Sequence, residues 1–533
     1  NEDVLVRLKA NTGFKQRLAQ RYAAHMAGTF TAARVQSLLS QLDTEISSAE
    51  VARHQARWAP NGMTATTRAA GIAGSMNYAA IRATNVFAEI TAQLGVAAAV
   101  DSTLALSDPA HGSVLLEGIP VDPGTIKLFP GISATFTAAP APGYAFTGWT
   151  GATGGETITL TPTAGLALTA HFAPSSETIL TGTLAADTLL TSAQSPVVIQ
   201  GDLIVPPGVT LSITSGVTVL FTRKSSLRVQ GALVVGGIEG DPVYFRGRGG
   251  ARWGGVSFES PALPSSLRHL VIRGATKGAD PTVYPSAISG LNADLTLDFL
   301  DIRECEGPVF CRGGSTTLRD SILQNPYTGD GINIKQGLAV TQRCVFYGNN
   351  QPDTDAIDYD GVANGLIEDC RIHRFQGFNS DGIDIGEECT NVLIQRNQIY
   401  YNSDKGFSIG QGSTVTLRHN LVVGCVLGVG VKDSGSTVLI DQNTFVDCGT
   451  GVAVYEKNFG DGGGAATITH CIFSKCGALP VTTDAFSSAT VDWSLCDTVP
   501  MSGTNNQFID PRFVDPVLLN FQLQPGSPAI DTG

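Results

Sequence analysis

Between residues 330 and 454 one short pattern returns at a nearly constant interval. "DGINI" begins at Asp330, "DAIDY" at Asp355, "DGIDI" at Asp381, "KGFSI" at Lys405, "LGVGV" at Leu427 and "TGVAV" at Thr450. The steps between these starts run from 22 to 26 residues. Each unit carries a second strand-like run, in order "QRCVF", "EDCRI", "QRNQI", "LRHNL", "DQNTF" and "THCIF". A strand, turn, strand, turn unit of this length cannot bury its own apolar face. Stacked unit upon unit, it buries a continuous core and satisfies its backbone groups between coils. The period therefore predicts a right-handed parallel β-helix.

The rest of the composition suits that fold. Among 533 residues there are 61 glycines, only 15% are charged and 42% are hydrophobic, which describes a turn-rich β protein with ample core material. A prior of roughly one domain per 150 residues gives about three or four domains, fewer where one is a long repeat. Lys plus Arg number 34 against 47 Asp plus Glu, a net charge of −13. That balance disfavours nucleic acid, which attracts basic surfaces, and is compatible with cation binding. No apolar run reaches the roughly 18 residues of a membrane span. The chain opens "NEDVLVRLKANTGF" and closes "SPAIDTG", and is expected to be a piece of a longer polypeptide.

Three stretches differ in period. Residues 1–98 read as helical: Val35, Leu38, Leu39, Leu42 and Ile46 follow the spacing of one apolar helix face, and Ser47 with Glu50 fits a capping box. "FKQRLAQRYAAHM", "FTAARVQSLLSQL" and "HQARW" resemble the C-terminal helical end of the CotH-type spore-coat kinases. That family's catalytic residues lie upstream of such a segment, so the resemblance carries no kinase activity to this chain. From 99 to 174 the period falls to two, in "ISATFTAAP", "ETITLTPT" and "LALTAHF". Here "GYAFTGW" (143–149) followed by "LTAHF" resembles the divergent internalin-type B repeat, a small β module of secreted and surface bacterial proteins. Trp149 and Phe146 are expected to fill its core. Residues 175–533 form the repeat region. Its "PPGVTLSITSGVTVLF" opening and "FIDPRFVDP…FQLQPGSPAIDTG" ending resemble the secreted, pectate-lyase-like β-helix superfamily. The fold class is thus mainly β: a parallel β-helix preceded by a small β module and a short helical segment.

Aligned coils stack side chains into columns one strand spacing apart. One turn column reads Cys344, Cys370, Asn397, Asn420, Asn443, Cys471; another reads Cys305, Asn325, Asn349, Asn402, Cys425, Cys448, Cys476. Stacked asparagines can bond neighbouring coils, and cysteine substitutes as a small buried side chain. All ten cysteines lie between 305 and 496 without CxxC metal spacing. They are expected to be structural.

The same register puts Asp330, Asp355, Asp381 and Lys405 in one column and Asn333, Asp358, Asp384 and Ser408 in the next, with Asp360, Glu387 and Glu388 nearby. Ionised carboxylates so close repel, so they are protonated, bind a cation, or splay into water. Calcium is the natural cation for several oxygen ligands. Three readings stay open: a calcium site at Asp355, Asp358, Asp381 and Asp384, a solvated acidic face, and a catalytic site. "NSDGIDI" (379–385) is similar to a motif of polygalacturonase-type hydrolases. Asp404-Lys405 and Gly428-Val429-Gly430 stand where that family has an Asp pair and Gly-His-Gly, so the hydrolase machinery does not carry over. The aspartates with Lys405 one coil on also look similar to calcium-dependent pectate lyases, which implies Lys405 as the base if its nitrogen is neutral. Ser380 stands where that family tends to have another Asp. His373, His419 and His470 are expected to be separate turn or surface residues. "NFGDGGGA" (458–465) lacks the Lys-Ser/Thr of a phosphate loop.

The leading expectation is an extracellular or cell-surface module whose acidic, calcium-binding face meets a polysaccharide, a cell-surface glycan or a neighbouring protein. Its rivals are a calcium-dependent lyase of uronate polymers and a purely structural fibre or surface protein.

Overall fold

The computed structural model describes residues 8–58, 64–141, 144–174, 177–324 and 327–530. Asn325 of the second turn column and Gly143 of the B-repeat-like motif lie outside them. Internal contacts divide the chain into two compact units, Asn1–Glu177 and Thr178–Gly533.

The first unit joins helices to a small β module. Helices span Thr12–Ala27, Ala32–Glu45, Ser48–Trp58 and Ala65–Leu94. Asn11 caps the first by accepting from the Phe14 amide at 2.9 Å. The Glu50 amide donates to Ser47 Oγ at 3.2 Å, half of the expected capping box. Ala19, Ala23, Phe87 and Ile90 pack with Phe129 and Ile132 of the β module, and the Gln20 amide donates to the carbonyls of both. The predicted apolar face of Ala32–Glu45 is not buried: Leu38, Leu42 and Ile46 are exposed. The shared core is built instead on the small residues of the first helix, which let it approach the β module closely. The module itself stacks two four-stranded sheets around Val114, Leu116, Leu128, Phe136 and Leu168. Phe146 and Trp149 pack against that core with ring centroids 5.4 Å apart, as the sequence suggests.

The second unit is the parallel solenoid. Each strand pairs in parallel with its counterpart one coil on, and a continuous apolar core runs from Leu190 to Cys496. Ile332 pairs with Ile357, Ile357 with Ile383, Ile383 with Phe407 and Phe407 with Val429. All five point inward and are fully buried. Three strand columns recur in each central coil. Column A holds Ile357–Val362, Ile383–Gly386, Lys405–Ile409, Leu427–Lys432 and Thr450–Tyr455. Column B holds Leu366–Glu368, Val392–Gln395, Thr414–Arg418 and Thr437–Asp441; column C holds Arg371–His373, Gln398–Tyr400, Leu421–Val423 and Thr444–Val446.

The corner from B to C turns on one residue. Arg343, Asp369, Arg396, His419, Gln442 and His470 all have left-handed φ, between 54° and 57°. The next residue in each coil is the Asn or Cys of the first turn column. Asn420 Oδ1 accepts from the Asn397 amide at 2.9 Å, while its own side-chain nitrogen donates to Ile394 O and Asn443 Oδ1 at 2.9 Å each. The ladder thus satisfies backbone groups that the corner removes from the sheet. At the start of the column A strand Leu427–Lys432 the glycine of the repeat is required by close approach. A Cβ on Gly428 would lie 2.4 Å from the Gly451 carbonyl oxygen and 2.6 Å from the Phe445 ring.

Candidate functional site

Strand alternation decides what column A shows to the outside. With Ile357, Ile383, Phe407 and Val429 inside, the outward rows are Asn333, Asp358, Asp384, Ser408, Gly430 and, two residues on, Lys335, Asp360, Gly386, Gly410, Lys432. The turn entering column A adds Asp330, Asp355 and Asp381, with Lys405, the first residue of its strand, in the same row. The expected aspartates are therefore neighbours, in two rows on one face.

The turn row is a ladder of carboxylates on backbone amides. Asp330 Oδ1 accepts from the Asp355 amide at 2.9 Å, Asp355 Oδ1 from the Asp381 amide at 2.6 Å, and Asp381 Oδ1 from the Lys405 amide at 2.8 Å. These acids cap the corner leading into column A much as the asparagines cap the corner between B and C. Asp355 and Asp381 are buried, whereas Asp358 and Asp384 are partly exposed.

Lysines compensate some carboxylates of this face and not others. Lys405 Nζ lies 3.4 Å from Asp381 and also pairs with Asp404. Lys432 Nζ donates to Ser408 Oγ at 2.6 Å and stands 3.7 Å from Asp384. Lys335 pairs with Asp360 and stands 3.7 Å from Glu387. Glycines make room for these chains: a Cβ on Gly410 would lie 3.0 Å from Lys432 Cε, and one on Gly430 2.9 Å from Lys405 Cδ. Asp330, Asp355 and Asp358 form no ion pair with any described lysine or arginine. The Asn333 side-chain amide bridges two of them, donating to Asp330 at 2.9 Å and to Asp358 at 2.5 Å. The Asn333 amide oxygen is buried and has no partner among the described residues.

The acidities follow. Burial, then the neighbouring carboxylates, push Asp355 and Asp358 well above the usual carboxylate range. Burial also raises Asp381, but the Lys405 ammonium opposes it and holds the value to about 6. Burial disfavours the Lys405 ammonium, yet the Asp381 and Asp404 carboxylates outweigh it, and its pKa is raised. A lysine in this company keeps its proton, the opposite of what a base requires. Val429, in register with the histidine of the hydrolase pattern, is fully buried in the core.

Lys335 and Lys432 escaped the sequence reading. Both occupy the outward row two positions beyond the aspartates, and their pairing becomes visible only when that row is carried through every coil. Among the described residues, no group of three or more His, Cys, Asp or Glu side chains stands in metal-holding geometry. His373 and His419 line one cleft, while His470 Nδ1 meets Asp441 at 3.0 Å. The ten cysteines are buried free thiols.

Comparison with known proteins supports the architecture. Residues 307–473 match the family model described as a right-handed beta helix region, and residues 102–176 match the divergent InlB B-repeat domain. Neither match reaches residues 1–98, so the spore-coat-kinase resemblance gains no support. No curated protein matches the chain. Similar solved structures include the GH136 lacto-N-biosidase of Eubacterium ramulus, 12% identical, covering 56% of this chain and 63% of that one with a TM-score of 0.33. The chain thus spans less than two thirds of that enzyme's length. An alginate lyase from a Paenibacillus species is 11% identical over 58% of this chain and 99% of its own, with a TM-score of 0.24. A GH87 α-1,3-glucanase from Streptomyces thermodiastaticus is 13% identical over 76% and 82%, with a TM-score of 0.32. Scores this low carry no functional argument. No described helix is long and apolar enough to cross a membrane.

Proposed function

We propose that the solenoid is the binding module of an extracellular or cell-surface protein, and that its acidic face holds calcium where it meets a glycan or a neighbouring protein. One observation supports this most: lysines pair with Asp381, Asp384 and Asp360, while among the described residues no ion pair reaches Asp330, Asp355 or Asp358. Acids held well above their usual pKa by burial and mutual repulsion are stabilised by a proton or by a cation, and at neutral pH a divalent cation competes well. The residues fit such an ion only as a partial shell. Asp355 and Asp381 each spend one oxygen on the next coil's amide, and three carboxylates do not converge. Calcium, which takes six to eight oxygens in flexible geometry, would draw on Asp358 and the free oxygens of Asp355, Asp381 and Asp384, and complete its shell with water or with ligand oxygens. That incomplete shell is what couples the ion to a partner.

Calorimetric titration of the full chain with calcium tests the proposal. Saturable binding is expected, weakened at least about tenfold, or about 1.4 kcal/mol, in Asp355→Asn/Asp358→Asn. Absence of heat in the wild type at millimolar calcium would refute it. The lyase reading is less well supported, because Lys405 is ion-paired on two sides. Incubation with polygalacturonate and alginate in calcium should yield no ultraviolet-absorbing unsaturated product. Product that disappears in Lys405→Ala would establish the enzyme instead.

A further inference from the structure

Column C carries a second feature that the acidic face does not use. A C-terminal hairpin, Phe513–Asp515 with Asn520–Leu523, lies on the outer side of that column. Phe513 anchors it against Tyr400, Val423 and Val446, with the Phe521 ring edge-on at 5.3 Å. Between hairpin and strands runs an open cleft of about 800 Å³, a volume in the range of small-molecule sites.

Its chemistry departs from that of the chain. The whole sequence carries 47 acidic against 34 basic side chains, yet the lining holds Arg371, His373 and His419 and no Asp or Glu. The Arg371 side chain, on a column C strand, has no hydrogen-bonding or ion-pair partner among the described side chains, unlike Arg343 and Arg396, which pair with Asp320 and Asp369 at the B-to-C corners. Amides approach from both walls, Gln398 and Gln442 from the solenoid and Asn520 and Gln522 from the hairpin. Gln398 Oε1 already accepts from the Tyr400 hydroxyl at 3.2 Å and Asn520 Oδ1 from the Gln522 backbone amide at 3.1 Å, but each side chain keeps its NH2 donors and a second lone pair, the pattern that neighbouring sugar hydroxyls satisfy. Tyr400, Leu421 and Phe521 supply apolar surface between them, which suits the C–H faces of a pyranose. A planar guanidinium free to make paired bonds selects a carboxylate or sulfate.

We propose that this cleft binds a short acidic oligosaccharide, with Arg371 on its carboxylate or sulfate group and the facing amides on its hydroxyls. The site is separate from the acidic face and needs no calcium, so the two proposals stand or fall independently.

The test is calorimetric titration of the full chain in chelator with three probes. Trigalacturonate supplies carboxylates, a κ-carrageenan tetrasaccharide supplies sulfates, and maltotriose supplies neither. Saturable binding of at least one acidic probe is expected, with maltotriose at least about tenfold weaker. Which acidic probe binds tells carboxylate from sulfate. Arg371→Ala, an exposed substitution, should weaken that binding by about tenfold or more, the usual scale for a charge-assisted contact. Gln522→Ala, on the opposite wall, should weaken it by a smaller factor. The proposal is overturned if neither acidic probe binds, if maltotriose binds as well as they do, or if Arg371→Ala leaves the affinity unchanged.

Discussion

Asp358 and Asp381 are the same kind of side chain in different company. Asp381 has the Lys405 ammonium 3.4 Å away and its pKa is held to about 6, whereas Asp358 meets the Asn333 amide and rises well above the ordinary range. A carboxyl whose pKa is raised on folding binds its proton more tightly in the folded state. Its contribution to stability is therefore present at low pH and is lost as pH rises through the folded-state pKa. For Asp381 that loss runs from about pH 4 to beyond about 6; for Asp355 and Asp358 it extends higher. In chelator, the urea-unfolding free energy of the solenoid should fall over this window. Asp358→Asn removes one of the charges responsible and should recover about 1 kcal/mol at pH 8, the scale of one pKa unit. A loss of stability in that variant would show that the Asp358 carboxylate is satisfied in a way this account misses. The aspartate rows were legible in the sequence because the repeat fixes the register. Lys405 was legible with them, but Lys335 and Lys432 were not, since Lys432 reaches Asp384 across two coils and over Gly410.

At the scale of the coil, corners are the costly element, because there the backbone leaves the ladder and its amides need other partners. The Asn420 side chain makes four hydrogen bonds in full burial, two of them to backbone groups and two to the neighbouring asparagines. Asn420→Ala should destabilise the solenoid by about 3 kcal/mol, the upper range for orphaning buried polar groups, measured by urea unfolding; a cost under about 1 kcal/mol would mean that the ladder is ornamental. The Asn and Cys columns could be read directly from the period. The left-handed residue that precedes each of them could not. Arg343, Asp369, Arg396, His419, Gln442 and His470 share a φ near 55° but no chemistry, so residue type gives no signal and only stacking imposes the conformation. The helical segment shows the opposite failure. Leu38, Leu42 and Ile46 have the spacing of a buried face and lie exposed, because periodicity reports which residues share a face and is silent on what covers it.

Over the whole molecule, a short period multiplied along one axis gives both the core and the face. Every coil adds to a single apolar interior, and every coil places its outward residues above those of the last. A like-charged row is then a property of the stack, and so is the remedy for it. The most direct test is the thermal melting of the intact chain at pH 8 and pH 5, each in chelator and in millimolar calcium. A cation that binds only the folded state raises Tm with its concentration, and protons do the same work at low pH. Calcium should therefore raise Tm clearly at pH 8, raise it less at pH 5, and lose its effect in Asp355→Asn/Asp358→Asn. A Tm at pH 8 that is the same in calcium and in chelator would contradict the account.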